Sequence, residues 1–331
     1  MAESVFGDAW DNGTDAFDLG LWATCEQTGL ARFTLPEQVG GSAGTFADAA
    51  EVLMAAGQFA ARVPLVETDW LAGWLLHTAG LEVPDGPLSA VVAPDLTVDG
   101  DDDTTATGTL RRVAWGRAVA GVAALVGDRV VLVAPEDATA VEGTNVAEEP
   151  RDDLVLSAAP VRVATLPMDA VLEYSLRAAL GRAVLLAGAA RGALAMAVKY
   201  ATERVQFGRP IAKLQAIQQS LALAGAEVAA AAAASQAAAS EADRMGFAQA
   251  ASAVAAAKSR CGEAAGQVAR ISHQVHGAIG FTREHDLRMV TTRLWAWRGE
   301  DGAEAQWNEC LGTRALEAGP DGLWALITGT A

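Results

Sequence analysis

The sequence is short of basic residues, and this shortage removes one large class of partners. It has 24 Lys and Arg against 41 Asp and Glu in 331 residues, a formal net charge of −17. A protein that binds nucleic acid needs a basic face to meet the phosphate backbone. We therefore expect no nucleic-acid partner. Tyrosine is also scarce, with two residues, while alanine is abundant, and this composition favours helix.

Cysteine and long apolar runs are scarce too. The three cysteines, Cys25, Cys261 and Cys310, are scattered and form no CxxC pair, which indicates a reducing compartment. No continuous apolar run reaches the roughly 18 residues that a membrane span requires. The first residues, Met1 to Ser4, are polar and acidic, unlike a signal peptide. The sequence therefore predicts a cytoplasmic enzyme without membrane association.

Three regions of different pattern follow one another. Residues 1–85 have helical periodicity, residues 86–168 hold short apolar or alternating runs between Gly and Asp turns, and residues 169–331 are again helical. The alanine-rich helices of the last region allow close helix contact. The expected fold is mostly α with a small β domain: an N-terminal helical domain, a middle β-sheet or barrel, and a C-terminal four-helix bundle.

The middle region carries the strand predictions. Four runs predict strands of an antiparallel sheet or barrel: residues 88–93, 107–115, 121–126 and 129–133. The pair Gly127-Asp128 is typical of a hairpin turn. The three aspartates at residues 101–103 predict a solvated turn and no metal loop. Trp115 is a single Trp on a strand, for which core packing is expected over ligand contact.

The most informative segment, residues 200–211, joins two predicted helices. It places Arg204, Gln206 and Phe207 close together, directly before Gly208. A guanidinium can bind a pyrophosphate through two parallel hydrogen bonds. An aromatic ring can lie beside a heterocycle, and glycine lets the backbone come close. The segment therefore predicts a site for a flat, phosphate-bearing ligand.

A second polar junction lies at residues 273–288. A long helix is predicted to end at Gly277, a small-residue loop runs to Gly280, and another helix is predicted to begin at Thr282. Amide N–H groups at such a helix start would form an anion site. His273 and His276 have the spacing of a metal pair, but the sequence offers no third ligand, so we expect packing or capping and no metal.

Together these two junctions resemble the acyl-CoA dehydrogenase family. The family's first motif is matched by Arg204, Phe207, Gly208, Pro210, Ile211 and Gln215. Its second motif is matched by Gln274, Gly277, Ala278, Gly280, Phe281 and Thr282, with Ala278 at a position where glycine is usual. Residues 35–41 also resemble a turn near the start of the family's sequences. The resemblance is weakest between residues 85 and 170.

The resemblance implies an FAD-dependent α,β-dehydrogenation of an acyl-CoA thioester. A carboxylate removes the α proton and flavin N5 accepts the β hydride. It implies cofactor contacts by Arg204, Gln206, Phe207, Gln274, His276, Gly277, Ala278 and Gly280. It also implies an electron-transfer flavoprotein or similar acceptor, and a homo- or hetero-oligomer, dimer or tetramer.

Two carboxylates match positions at which branches of the family carry the catalytic base. Asp301 lies 24 residues after Gly277, and Glu263 lies 11 residues before Gln274. We favour Glu263, because small neighbours leave room for a substrate and an unpaired Glu on a mostly apolar helix needs a reason. A competing interpretation pairs Glu263 with Arg260 on a solvated face. Asp301 remains the alternative base.

The middle region lacks the family's Thr/Ser-rich flavin-contacting strand, and the N-terminal region is shorter than is usual. Both features resemble one subunit of actinobacterial acyl-CoA dehydrogenases that form mixed tetramers and act on steroid-derived CoA thioesters. The chain is then either a dehydrogenase, alone or with a partner, or a non-catalytic partner subunit that contributes FAD contacts only. An unrelated helical scaffold is the third interpretation.

Overall fold

The fold is taken from a computed structural model, and the structure describes residues 1–10, 16–100 and 104–328. The predicted turn at residues 101–103 lies outside these ranges. The first helical elements are α1 Ala2–Asp8, α2 Leu19–Gln27, α3 Phe46–Gln58, a π-helical segment Val66–Gly73, and α4 Trp74–Thr78. Helix α2 begins at Leu19 because the Asp18 carboxylate accepts a hydrogen bond from the Leu21 amide.

The strands follow between residues 88 and 165. They are β1 Leu88–Val92, β2 Thr97–Asp99, β3 Thr105–Ala114, β4 Gly121–Val126, β5 Arg129–Val133, β6 Thr139–Val141 and β7 Arg151–Thr165. Their order in the sheet is β1-β4-β5-β7-β3-β2, with β6 also paired to β7. The path stays open over the described strands, so the middle region is a sheet and the barrel alternative is wrong.

The pairing confirms the predicted hairpin but not an all-antiparallel sheet. Val126 faces Arg129 across the two-residue turn that contains Gly127, whose φ is +60°. Strand β1 instead runs parallel to β4. The chain forms β2 and β3 elsewhere in the sheet before it returns to pair with β1, and short apolar runs carry no information about such a crossover.

Strand β7 holds the sheet together. Its last third, residues 161–165, pairs with β5, and residues 151–160 pair with β3, part of them also with β6. One register shift in the β3–β7 ladder, between Leu110 and Val113, coincides with positive φ at Arg112, typical of a β-bulge. The apolar faces of these strands form one buried cluster that includes Trp115, which is 3% exposed and lies edge-on to Phe17. Core packing of Trp115, as predicted, is confirmed.

The C-terminal region is helical. It contains α5 Ala170–Glu203, the short strands β8 Val205–Gln206 and β9 Arg209–Pro210, then α6 Gln215–Met245, α7 Ala251–His276, α8 Leu287–Gly299 and α9 Glu304–Thr328. Helix α7 is central, since it contacts α6, α8 and α9. It also reaches α5, where the Ser272 hydroxyl donates to the Ala193 carbonyl at 3.2 Å. The predicted mostly helical fold with a small sheet is confirmed.

The chain divides into two compact units. One unit holds residues 1–52 and 61–178, and the other holds residues 53–60 and 179–331. Within the second unit, Gly188 of α5 lies against the backbone of Met54, where any Cβ would clash with the Met54 carbonyl. The division into residues 1–85, 86–168 and 169–331 remains a proposal about folding units.

Two helices are long and apolar enough to cross a membrane by length and composition alone. In α5 and α6 an 18-residue window reaches a mean hydropathy of 1.3. The sequence prediction concerned unbroken apolar runs, whereas this criterion averages over a window, in which alanine contributes to hydropathy even where polar residues interrupt the run. The α5 window is 67% buried within the protein, as in a core helix, whereas the α6 window is 22% buried.

Candidate functional site

The first polar junction forms a tight hairpin between α5 and α6. Strand β8 pairs with β9 through a turn in which Phe207 and Gly208 both have positive φ, +51° and +76°. The Arg204 amide donates to the Tyr200 carbonyl, and the Ile211 amide donates to the Arg204 carbonyl, both at 2.9 Å. The hairpin therefore fixes the backbone of Arg204 while its side chain stays exposed.

The second junction begins where α7 ends. Gly277 has a φ of +66°, and its amide donates to the His273 carbonyl, so the helix stops at His276. A 3-10 turn, Gly277–Phe281, follows. Ala278, which replaces the family's usual glycine, does not adopt positive φ and is exposed. The substitution therefore costs no backbone strain at this position.

The predicted helix start after this turn is wrong. Helix α8 begins at Leu287, not at Thr282. The Thr282 hydroxyl donates to the Ile279 carbonyl at 2.9 Å, so it closes the 3-10 turn instead of capping a helix. The amides that were expected to form an anion site at Thr282 therefore do not lie at a helix N-terminus.

The structure brings the two junctions together. One cavity of about 460 Å³ is lined by six of the predicted cofactor residues: Arg204, Gln206, Gln274, His276, Gly277 and Ala278. Tyr200 and the apolar side chains of Ile211, Leu214 and Ile217 complete much of the wall. The other two predicted residues lie outside the lining. Phe207 is 87% exposed at the hairpin tip, and Gly280 is buried against His276.

The His276 ring forms part of the same wall. The His276 ring stacks on Tyr200 with centroids 4.5 Å apart and meets His285 edge-on at 4.8 Å. Its Nδ1 lies 2.7 Å from the Ser272 carbonyl oxygen. His273 instead stacks on Phe281 and its Nε2 lies 3.1 Å from the Thr291 hydroxyl. Both rings are held by packing and hydrogen bonds of the kind predicted.

A larger cleft of about 980 Å³ runs along α7 beside this cavity. The two cavities share Gln274, Gly277 and Ala278. Glu263 lines the cleft, together with Arg260 and with Trp295 of α8. One of the two candidate bases therefore faces a space that adjoins the predicted cofactor site.

Glu263 is paired in the structure. Arg260 Nη1 donates to Glu263 Oε2 at 2.9 Å, and the Arg260 guanidinium also contacts the carboxylate of Glu227 on α6. The Glu263 side chain is 51% exposed. The contact expected by the competing interpretation is therefore present, and the same carboxylate also faces the cleft.

Asp301 lies in a different environment. Its Oδ2 accepts from Arg182 Nε at 2.9 Å, and Arg182 Nη1 lies 3.4 Å from Glu300. The Arg182 side chain is 6% exposed, so its buried positive charge needs these acidic partners to offset the cost of burial. Asp301 lines neither of the two cavities. The structure does not bring Asp301 together with the cofactor residues.

Lys258 holds the turn at Gly302, the residue after Asp301, and the sequence analysis did not single this lysine out. Its Nζ donates to the Gly302 carbonyl at 2.6 Å and to the Arg298 carbonyl at 3.1 Å. The side chain is 1% exposed, and burial lowers the pKa of this ammonium from 10.5 to about 8. The sequence feature that could have identified Lys258 is its position as a lysine on the alanine-rich, core-facing side of α7.

The smaller cavity suits part of FAD, the cofactor of the resembled family. Arg204 supplies an exposed cation, and Gln206 and Gln274 supply amide donors, the groups that bind a pyrophosphate. The apolar wall suits a heterocycle. The buried Nε2 of His276 has no hydrogen-bond partner among the described residues, which leaves one polar group for a ligand.

Comparison with known proteins agrees with these motifs. The family of the acyl-CoA dehydrogenase C-terminal domain matches residues 172–306. Acyl-CoA dehydrogenase IpdE2 of Mycolicibacterium smegmatis is 30% identical over 288 residues, which cover 84% of this chain and 82% of that protein.

Solved structures show the same fold. The ChsE4-ChsE5 complex from Mycobacterium tuberculosis matches with a TM-score of 0.85 at 23% identity, covering 96% of each chain. The Tcur3481-Tcur3483 steroid ACAD variant matches with a TM-score of 0.83 at 24% identity, again over 96% of each chain. With residues of both motifs at one cavity and a relative 30% identical over 84% of this chain, the chain belongs to the acyl-CoA dehydrogenase family, a family of FAD-dependent enzymes.

Proposed function

We propose that the protein catalyses α,β-dehydrogenation of an acyl-CoA thioester and holds part of FAD in the 460 Å³ cavity. The observation that carries this proposal is the convergence of six predicted cofactor residues, from two junctions far apart in sequence, on that cavity. FAD, when bound, supplies the two-electron acceptor for the reaction. Arg204 binds the pyrophosphate, Gln206 and Gln274 orient it, and the apolar wall excludes water.

The cavity is too small for a whole dinucleotide. Its volume lies near the lower end of the range for sites that enclose a drug-sized ligand. The exposed Phe207 ring at the edge of the hairpin is free to contact the ligand or a second protein surface. We therefore propose that a neighbouring protomer holds the rest of FAD.

Glu263 is the proposed base. Its carboxylate would accept the α proton, and it lies in the cleft within hydrogen-bond distance of the Arg260 guanidinium. Arg260 also contacts Glu227, so it can remain charge-paired when Glu263 turns toward a substrate in the cleft. Asp301 lacks this freedom, because Arg182 and the turn at Gly302 hold it.

Arg204→Ala tests the cofactor site. We expect FAD affinity to fall by about 10- to 100-fold, since a charge-assisted contact to the pyrophosphate is lost. The measurement is titration of apoprotein with FAD, followed by flavin fluorescence. Arg209→Ala is the matched control, because Arg209 lies on the same hairpin, is exposed, and does not line the cavity. Equal FAD affinity in wild type and Arg204→Ala would contradict the proposal.

A second function is favoured by one observation: each candidate base is paired with an arginine, Glu263 with Arg260 and Asp301 with Arg182. A non-catalytic partner subunit that contributes FAD contacts would show this arrangement. Flavin content separates the two functions. For a self-sufficient enzyme we expect about one FAD per chain in the protein purified alone. Flavin that appears only on co-expression with a homologous chain would instead support the partner subunit.

Assembly and substrate belong to the same proposal. The apolar α6 helix is mostly exposed, which suits contact with another protomer in a dimer or tetramer. The structural neighbours include a two-component complex and a steroid ACAD. We propose a steroid-derived or fatty acyl-CoA substrate, a cytoplasmic location, and an electron-transfer flavoprotein or similar acceptor.

A further inference from the structure

The 980 Å³ cleft along α7 has charges of opposite sign at different places in its wall. Around the proposed base, Arg260 contacts the carboxylates of both Glu227 and Glu263, so this part has one surplus negative charge. Farther along, the wall contains two more guanidiniums, those of Arg270 on α7 and Arg298 on α8. Polar groups in the wall of a ligand site normally determine which ligand binds and in which orientation. The two additional arginines therefore indicate a ligand with an anionic group.

Arg298 lies in a notch on the surface of α7. Gly262 and Gly266, one helical turn apart, form this notch. Any Cβ at Gly262 would clash with the Glu304 carboxylate, and a Cβ at Gly266 would lie 3.1 Å from Arg298 Nη1. Arg298 Nε donates to the same Glu304 carboxylate. Glycine destabilises a helix interior relative to alanine, so the notch makes α7 less stable than alanine would. What the notch provides is a fixed position for the Arg298 guanidinium in the cleft wall.

Both guanidiniums keep N–H donors for a ligand. The Arg298 side chain is 40% exposed, and its Nη1 and Nη2 form no hydrogen bond within the part of the chain that the structure describes. Arg270 Nη2 donates to Gln267 Oε1 at 2.9 Å, which orients the side chain, but Arg270 has no carboxylate partner among the same described residues. Guanidinium N–H groups bind carboxylates by charge-assisted hydrogen bonds. A carboxylate brought by a ligand would therefore supply the missing partner.

Helix geometry places the two arginines a short distance from the proposed base. Gly266, which Arg298 contacts, is three residues after Glu263, and Arg270 is seven residues after it. These positions share one face of α7 and lie roughly 5 and 10 Å from Glu263 along the helix axis. Trp295, one turn before Arg298 on α8, also lines the cleft and is 50% exposed, so its indole offers apolar surface to methylene groups. An acyl chain with its α carbon at Glu263 can therefore reach the arginines with its far end.

We propose that Arg270 and Arg298 are specificity-determining residues that bind a carboxylate at the far end of the acyl chain, so that the substrate is a dicarboxylyl-CoA thioester. The inference rests on the proposed dehydrogenase function and narrows its substrate class. Dehydrogenation removes hydrogen from the α and β carbons and leaves the far carboxylate unchanged, so this group serves binding alone. The spacing along α7 suits a chain of intermediate length, such as the suberyl group.

Substrate pairs of equal chain length test the proposal. Adipyl-, suberyl- and sebacyl-CoA end in a carboxylate, whereas hexanoyl-, octanoyl- and decanoyl-CoA end in a methyl group, and the CoA part is common to all. For at least one pair we expect wild type to have a kcat/KM about tenfold or more higher with the dicarboxylyl thioester. Arg270→Met should lower this ratio about tenfold, because a charge-assisted contact is lost. Gly266→Ala should also lower it, since it displaces the Arg298 guanidinium while every charge is kept.

The measurements use the chain as purified, or its complex if flavin binds only there. Arg244→Met, at an exposed position near the end of α6 and outside the cleft lining, is the control and should keep the wild-type ratio. Flavin that none of the six thioesters reduces would overturn the proposed function and this inference with it. A wild-type ratio near one for every pair, or a ratio that Arg270→Met leaves unchanged, would overturn the inference alone. If FAD affinity falls in Arg270→Met while the ratio stays, the arginine binds a cofactor phosphate, which would also overturn it.

Discussion

Glu263→Gln should keep FAD bound and slow acyl-CoA-dependent flavin reduction by about two to four orders of magnitude. Glutamine has nearly the shape of glutamate but cannot accept the α proton, and general-base catalysis contributes about this factor. FAD affinity should stay unchanged, because Glu263 lines the larger cleft and not the cofactor cavity. The measurement is loss of flavin absorbance on anaerobic mixing with an acyl-CoA.

Two variants serve as controls for this result. Glu227→Gln removes the other carboxylate that contacts Arg260, so it perturbs the same ion-pair group without removing the proposed base. Asp301→Asn removes the charge that faces Arg182, and under the Glu263 assignment it lowers stability while turnover per bound flavin stays near wild type. Undiminished flavin reduction by Glu263→Gln, with loss in Asp301→Asn, would transfer the role to Asp301.

The sheet shows which local patterns can be read from sequence. Strands β4 and β5 were predicted with their observed bounds, because a two-residue turn joins two apolar runs and all the information is local. Strand β7, the longest, was missed. It contains Pro160 and charged residues, and it pairs with β3 over its first two thirds and with β5 over its last third. Its stability comes from distant partners that a local pattern does not contain.

The candidate site also contains features that could be predicted from the sequence and others that could not. The motif residues Arg204 and Gln274 were predicted from resemblance, and the fold brings them to one cavity. The partners of the acidic residues were harder to predict. Arg260 is one helical turn from Glu263, so their contact follows from helix geometry. Arg182 lies more than a hundred residues from Asp301, and only the packing of α5 against the turn after α8 makes them neighbours.

Lys258→Met should destabilise the protein by about 2 kcal/mol at pH 7, with a larger loss at higher pH. Lys258 Nζ donates to the Arg298 and Gly302 carbonyls, and methionine leaves these buried acceptors unpaired. Each unpaired group costs about 1–3 kcal/mol, which is partly offset because no buried charge remains. The measurement is the free energy of unfolding by urea, with the exposed Lys199→Met as control.

The pH dependence isolates the buried charge. Folding lowers the pKa of Lys258 from 10.5 to about 8, so between these values the unfolded chain binds more protons than the folded protein. This group therefore makes wild type more stable as pH rises, by up to about 1.4 kcal/mol per pH unit. Cys25 and Cys261, whose pKa values burial raises to about 12 and 11, act in the opposite sense above pH 9. They are present in both proteins and cancel in the difference. The gap in unfolding free energy between wild type and Lys258→Met should widen from pH 8 to pH 9.5, and parallel curves would show that Lys258 does not carry the buried charge that its contacts indicate.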